Sequence, residues 1–136
     1  MKKAILLIVI SAAVSVSCNK QRNFDEEAQL DAIHQTQKIC PREVADGVRL
    51  DSIAYSVPTR TMNYYYTMHD QYDNPQALKS GEQKFRQAML RQIIQSIDMK
   101  KAKDHGVTFQ YIYRSKSTGK LLLKEVFTKE EYTVKR

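Results

Sequence analysis

The apolar positions of this chain keep two spacings, three-to-four and two, and the places where one gives way to the other mark out its elements. In FDEEAQLDAIHQTQKIC, Leu30, Ile33 and Cys40 recur at helical intervals, with Ala28 and Gln37 on the same stripe. Asp25, Glu26 and Glu27 put negative charge where a helix N-terminus favours it, and Pro41 stops the run; a helix is predicted over 25–39. GVRLDSIAYSVPTRTMNYYYTM then reads as two strands around a Pro-containing turn at 57–60. The apolar phase slips inside the first strand, from Val48 and Leu50 to Ile53, Tyr55 and Val57, which predicts a bulge at Asp51 and Ser52. The second strand alternates strictly: Met62, Tyr64, Tyr66 and Met68 share one face, Thr61, Asn63, Tyr65 and Thr67 the other.

Past the turn formers of HDQYDNPQ, Phe85, Met89, Ile93 and Ile97 recur every four residues, with Leu90 and Ile94 widening the stripe. This predicts a second, core-facing helix over 77–103, with Lys100, Lys101 and Lys103 complementing the dipole of its last turn. Two further strands close the chain around a Ser/Thr/Gly turn, Val107, Phe109, Tyr111 and Tyr113 on one face of the first, and Leu121, Leu123 and Phe127 on one face of the second. The order helix, strand, strand, helix, strand, strand predicts an α+β fold: a four-stranded antiparallel sheet with both helices on one face. Tyr64 and Tyr66 then belong to the core. Tyr65 turns to the uncovered face, where Ile112, Leu122 and Val126 share its parity and form a candidate partner surface.

The first residues change the picture from fold to address. MKKAILLIVISAAVSVSC joins two lysines to an apolar run and ends in small residues, the pattern of a secretory signal. The run from Ala4 to Val16 falls short of the roughly 20 residues a membrane-spanning helix needs. With Cys18 directly after Ser15, Val16 and Ser17, the segment resembles the bacterial lipoprotein family, in the looser Bacteroidetes-type form of its cleavage box. The resemblance implies removal of residues 1–17, lipid on the Cys18 thiol and a membrane anchor through that lipid. NKQRN carries no acidic run, and acidic runs after the cysteine resemble the surface-export signal of such lipoproteins. A periplasm-facing protein on the outer membrane is therefore expected. The domain division that follows is a signal over 1–17, a lipidated tether over 18–24 and one domain over 25–136. The stretch CPREVADGVRLDSIAYSVPTRTMNYYYTM, with HGVTFQYIYRSKSTGK, also resembles small uncharacterised bacterial envelope proteins, a likeness that implies no particular activity.

The whole chain has a net charge of +7, and losing Lys2 and Lys3 with the signal leaves +5. A basic balance often points to nucleic acid, but export leaves lipid headgroups and acidic proteins as the available anions, so no nucleic-acid partner is expected. Cys40 has no partner in the chain once Cys18 carries lipid, and is expected to be a buried, inert thiol. His34, His69 and His105 lack metal-ligand spacing, so neither a metal nor another cofactor is expected. Asp70 and Asp73 lie in a turn-rich loop where aspartate caps backbone. STGK at 117–120 lacks the preceding P-loop glycine and reads as a turn, while Lys79, Lys84, Arg86, Arg91, Lys100 and Lys101 read as a solvated face. Two functions fit: a non-enzymatic envelope lipoprotein whose domain holds a protein partner, or a small hydrolase or ligand-binding domain built on the loop around His69 and Asp70. A deep cavity flanked by titratable groups would distinguish the second.

Overall fold

The computed structural model describes residues 23–133. The signal, Cys18 and most of the tether lie outside the described residues. Helix α1, Phe24–Ile39, starts a residue before the predicted point because the Asn23 side chain accepts the Glu26 N–H at 2.9 Å, and this cap brings Asn23 and Phe24 into the domain.

The contact stripe of α1 is also rotated from the one predicted. Ala28 and Ala32, four residues apart, are its buried positions, while Ile33 is 46% exposed. Small side chains let the helix lie close along strand β2, Val48–Ser56. One residue further along the same spacing, the Thr36 hydroxyl donates to the Ile53 carbonyl and accepts from the Ile53 N–H, both at 2.8 Å. A single side chain thus pairs both backbone groups of Ile53 beyond the reach of the short strand β1, Arg42–Ala45, which pairs only with the start of β2.

Strand β3, Thr61–Met68, pairs antiparallel with β2, and the predicted bulge is present: Leu50 faces Tyr66 and Ser52 faces Tyr65, leaving Asp51 as the extra residue. Among the described residues the sheet has five strands in the order β1-β2-β3-β4-β5, where β4 is Thr108–Ser115 and β5 is Leu121–Phe127. It is mixed: β3 and β4 run parallel, from Thr61 opposite Thr108 to Met68 opposite Ser115, and the other pairs are antiparallel. The all-antiparallel expectation fails at this one junction for a geometric reason. Helix α2, Pro75–Gln95, is 21 residues long, about 31 Å at the usual rise, so it carries the chain back to the end of the sheet where β3 began.

The four-strand count misses β1, whose signal is the Asp46-Gly47 dipeptide turning it into β2. The predicted helix over 77–103 is two helices. It breaks after Gln95, and α3, Lys100–Asp104, turns back so that Lys103 Nζ donates to the carbonyls of Ile93, Ile94 and Ser96 at 2.8, 2.8 and 2.9 Å, closing the open end of α2. Ile97 falls in the break and is 85% exposed. The chain's described part ends with α4, Lys129–Tyr132, held by a Thr128–Glu131 capping box. Phe109, Phe127, Ile93 and Val107 are the fully buried centre, closed by the Tyr132 hydroxyl donating to the Val107 carbonyl at 2.9 Å.

Candidate functional site

The strict alternation of β3 sends Tyr64 and Tyr66 to the helix-covered side, where they join Tyr111 and Tyr113 of β4 in a ladder of stacked rings. Tyr64 lies 4.9 Å from Tyr111 and Tyr66 lies 4.7 Å from Tyr113, centroid to centroid, each pair within 12° of parallel. The parallel pairing of β3 with β4 creates this stack, because it places Tyr64 directly beside Tyr111 and Tyr66 beside Tyr113.

Above the ladder the four-residue stripe of α2 continues backwards from Met89 and Phe85 to Gly81 and Ala77. Met89 and Ile93 are buried and seal the C-terminal half of the helix onto the sheet. Gly81 and Ala77 are too small to do the same. A cavity of about 620 Å³ remains, roofed by Ala77, Gly81 and Phe85 and floored by Tyr66, Tyr111 and Tyr113. Residues 44–46 of the β1 hairpin and Tyr72 of the 3-10 turn Asp70–Tyr72 form one wall. Its volume falls in the range of small-ligand and side-chain pockets.

That wall is held by two contacts the sequence did not reveal. Gly47 has φ of 72°, and a Cβ there would lie 2.6 Å from the Tyr72 ring and 2.9 Å from the His69 carbonyl oxygen, so only glycine lets the hairpin close against the turn. His69 then bridges the same two segments. Its Nδ1 is 2.6 Å from Asp70 Oδ2 and its Nε2 is 2.9 Å from Glu43 Oε1. The bonds to Glu43 and then Asp70 raise the His69 pKa above its ordinary value. With a carboxylate on each ring nitrogen the imidazole clasps the two segments together, and neither nitrogen is left to act as a base on a substrate.

The other singled-out residues are scattered. His34 is exposed, His105 stacks on Phe24 at 4.0 Å, and the described residues contain no group of His, Cys, Asp and Glu able to hold a metal. Asp73 accepts the Ser117 N–H at 2.9 Å and, held by Ser115 and Ser117, has a lowered pKa; it caps backbone as read. STGK is the β4–β5 turn. Cys40 is half-buried, and burial followed by the Asp51 charge raises its thiol pKa, which disfavours the nucleophilic thiolate. Arg86, expected on a solvated face, instead pairs with Glu125 and Glu131 and sits over the Phe127 ring at 4.5 Å. No described helix is long and apolar enough to cross a membrane.

The structure brings Tyr65 and Ile112 side by side across β3 and β4, with Leu122 and Val126 on the neighbouring strand. Of these four, Ile112 is buried and Tyr65, Leu122 and Val126 are half-buried. Ile112 is only 7% exposed, with Tyr65 and Lys124 as its register neighbours on β3 and β5, and the exposed positions of the same strands include Arg114 and Lys124. The cavity under α2 is on the other face.

Residues 23–123 match the model of the family described as a domain of unknown function, DUF8479. The chain belongs to this family. No curated protein sequence matches this DUF8479 chain. Three solved structures share the fold. PA3611, a candidate secreted protein from Pseudomonas aeruginosa, superposes with a TM-score of 0.69 at 9% identity, over 79% of this chain and 91% of that one. The pilotin EpsS from the Vibrio vulnificus type 2 secretion system gives 0.61 at 15% identity, over 82% and 93%. The type II secretion system pilotin AspS from Vibrio cholerae gives 0.56 at 20% identity, over 82% and 94%. At these identities the likeness is one of fold.

Proposed function

We propose that this DUF8479 protein is an envelope lipoprotein, anchored through lipid on Cys18 and facing the periplasm from the outer membrane. Its domain is a non-enzymatic interaction module that holds an apolar segment of a protein partner in the cavity under α2. The observation that carries this reading is the cavity itself: a recess of about 620 Å³ walled mostly by apolar and tyrosine side chains, with Asp46 and Gln92 as its other polar groups, and with the nearby His69 clasped between Glu43 and Asp70. Such a site has anchoring surface and no free acid–base pair, which fits holding better than hydrolysis at His69 and Asp70. Two of the proteins that share the fold belong to a secretion system, which supports an interaction role.

Two experiments test the proposal. Cys18→Ser should move the protein from the membrane to the soluble fraction, since the several acyl chains of a lipoprotein exceed the marginal anchoring of one; wild-type protein without lipid mass would defeat the assignment. Gly81→Leu should fill the cavity without disturbing the fold, because a Cβ at Gly81 meets nothing within 4 Å. It should abolish crosslinking to the envelope partner that wild type captures, while Lys124→Ala on the opposite sheet face should not. Equal capture by all three proteins would remove the cavity from the function.

A further inference from the structure

None of the four ladder hydroxyls hydrogen-bonds to a described residue, and three of these tyrosines line the cavity. Tyr66, Tyr111 and Tyr113 all line the cavity, and their hydroxyls make no hydrogen bond to any described residue. Tyr111 and Tyr113 are only 7% and 4% exposed, yet no fully buried side-chain oxygen or nitrogen lacks a partner, so the little surface these residues keep includes their hydroxyls. Buried tyrosine hydroxyls ordinarily find a hydrogen-bond partner in the protein or in an ordered water. Here the stacking of Tyr66 on Tyr113 and of Tyr64 on Tyr111 fixes the rings, so the hydroxyls have no freedom to swing to another acceptor.

The charges around the recess narrow what would satisfy them. The lining contains no lysine or arginine, and its single ionisable acid is Asp46, on the β1 hairpin. An anion would enter without a counter-charge and lose its hydration, which is costly in an apolar recess. Burial keeps the phenols protonated, pushing Tyr66 up to about 12 and Tyr111 and Tyr113 higher still, so all three remain donors at any physiological pH.

We infer that the cavity selects an uncharged apolar segment of a protein partner that presents carbonyl or amide oxygens to the hydroxyls of Tyr66, Tyr111 and Tyr113. The inference rests on the reading that this cavity is the docking site, and it adds the chemistry of the occupant: apolar side chains for Phe85 and Gly81, and neutral acceptors for the tyrosine floor. Free main-chain carbonyls of a non-helical segment or a helix C-terminus meet that description.

The test uses prodan, an uncharged naphthyl ketone whose emission reports hydrogen bonding to its carbonyl, titrated into the protein. Wild type should bind it in the hydrogen-bonded state and bind the anion 8-anilinonaphthalene-1-sulfonate at least about tenfold more weakly. The double variant Tyr111→Phe, Tyr113→Phe keeps the rings and removes only the hydroxyls; it should weaken prodan about five- to tenfold and shift its emission to the blue. Unchanged affinity and emission in that variant would overturn the inference while leaving the docking cavity in place. Retained prodan binding in Gly81→Leu would instead overturn the cavity reading itself. If the double variant fails to fold, Tyr113→Phe alone reads the same emission shift. A short capped leucine-rich peptide should displace prodan; displacement by methyl laurate and not by the peptide would show a lipid occupant and reject the protein segment.

Discussion

Arg86 on α2 reaches across to Glu125 on β5 and is, among the described residues, the sole ion-pair partner of that carboxylate, whose side chain is 5% exposed. The same guanidinium donates to the Val126 carbonyl at 3.1 Å and covers the Phe127 ring, so it fixes the helix to the far strand of the sheet. Arg86→Met should destabilise the domain by about 3 kcal/mol, since a buried carboxylate loses its counter-charge. Adding Glu125→Gln to that variant should recover part of the loss in thermal unfolding. No recovery would mean that Arg86 acts through packing alone.

The Thr36 hydroxyl that pairs with both backbone groups of Ile53 should prove as important as a core side chain. Thr36→Val keeps the shape and leaves one N–H and one carbonyl without partners, at a cost of about 1–3 kcal/mol. Chemical denaturation of the two proteins measures this directly, and Thr36→Ser should remain close to wild type.

Gly47→Ala combines a left-handed backbone with a clash against Tyr72 and the His69 carbonyl, and should cost about 2 kcal/mol. The effect should be local to the cavity wall. Hydrogen exchange should rise in the β1 hairpin and the 3-10 turn before it rises in β4, whereas a uniform rise would show that the hairpin and the core unfold together.

The clasp of His69 predicts a pH dependence of definite sign. Its folded pKa is raised, chiefly by Glu43 and then Asp70. The stabilisation it contributes is therefore complete below the unfolded value of about 6.5 and is lost as pH rises through the higher folded value. Thermal unfolding should show a fall in Tm across that window in wild type, and His69→Gln should flatten it. A wild-type Tm that climbs over the same range would contradict the clasp.

Much of this architecture is legible in the residues themselves. The β3 alternation placed Tyr64 and Tyr66 under the helices and Tyr65 opposite, and the phase slip in β2 marked the bulge at Asp51, because both are local consequences of a side-chain period of two. The break after Gln95 was not legible, since Ile97 and Lys100 continue the helical pattern in sequence; the chain turns there because Lys103 caps the carbonyls of α2 from a second helix. The cavity was half legible. Gly81 and Ala77 stand on the same stripe as Phe85 and Met89, but a small residue on a helix face reads equally as close packing until the opposing surface is known.

By itself, then, the sequence determined the α+β class and the inward face of β3 and β4, and it carries a resemblance to lipoproteins in its first 18 residues, because propensity, period and short motifs act within a few residues of one another; Leu121, expected inward on β5, is 50% exposed. Only the tertiary structure decided that β4 lies parallel to β3, that the parallel register stacks Tyr66 on Tyr113 and Tyr64 on Tyr111, and that α2 stands clear of that ladder where its side chains are smallest. The strand pairing and both ring stacks join residues 47 positions apart, where the return path of a helix and the volume left between two surfaces govern the outcome and no local pattern records it.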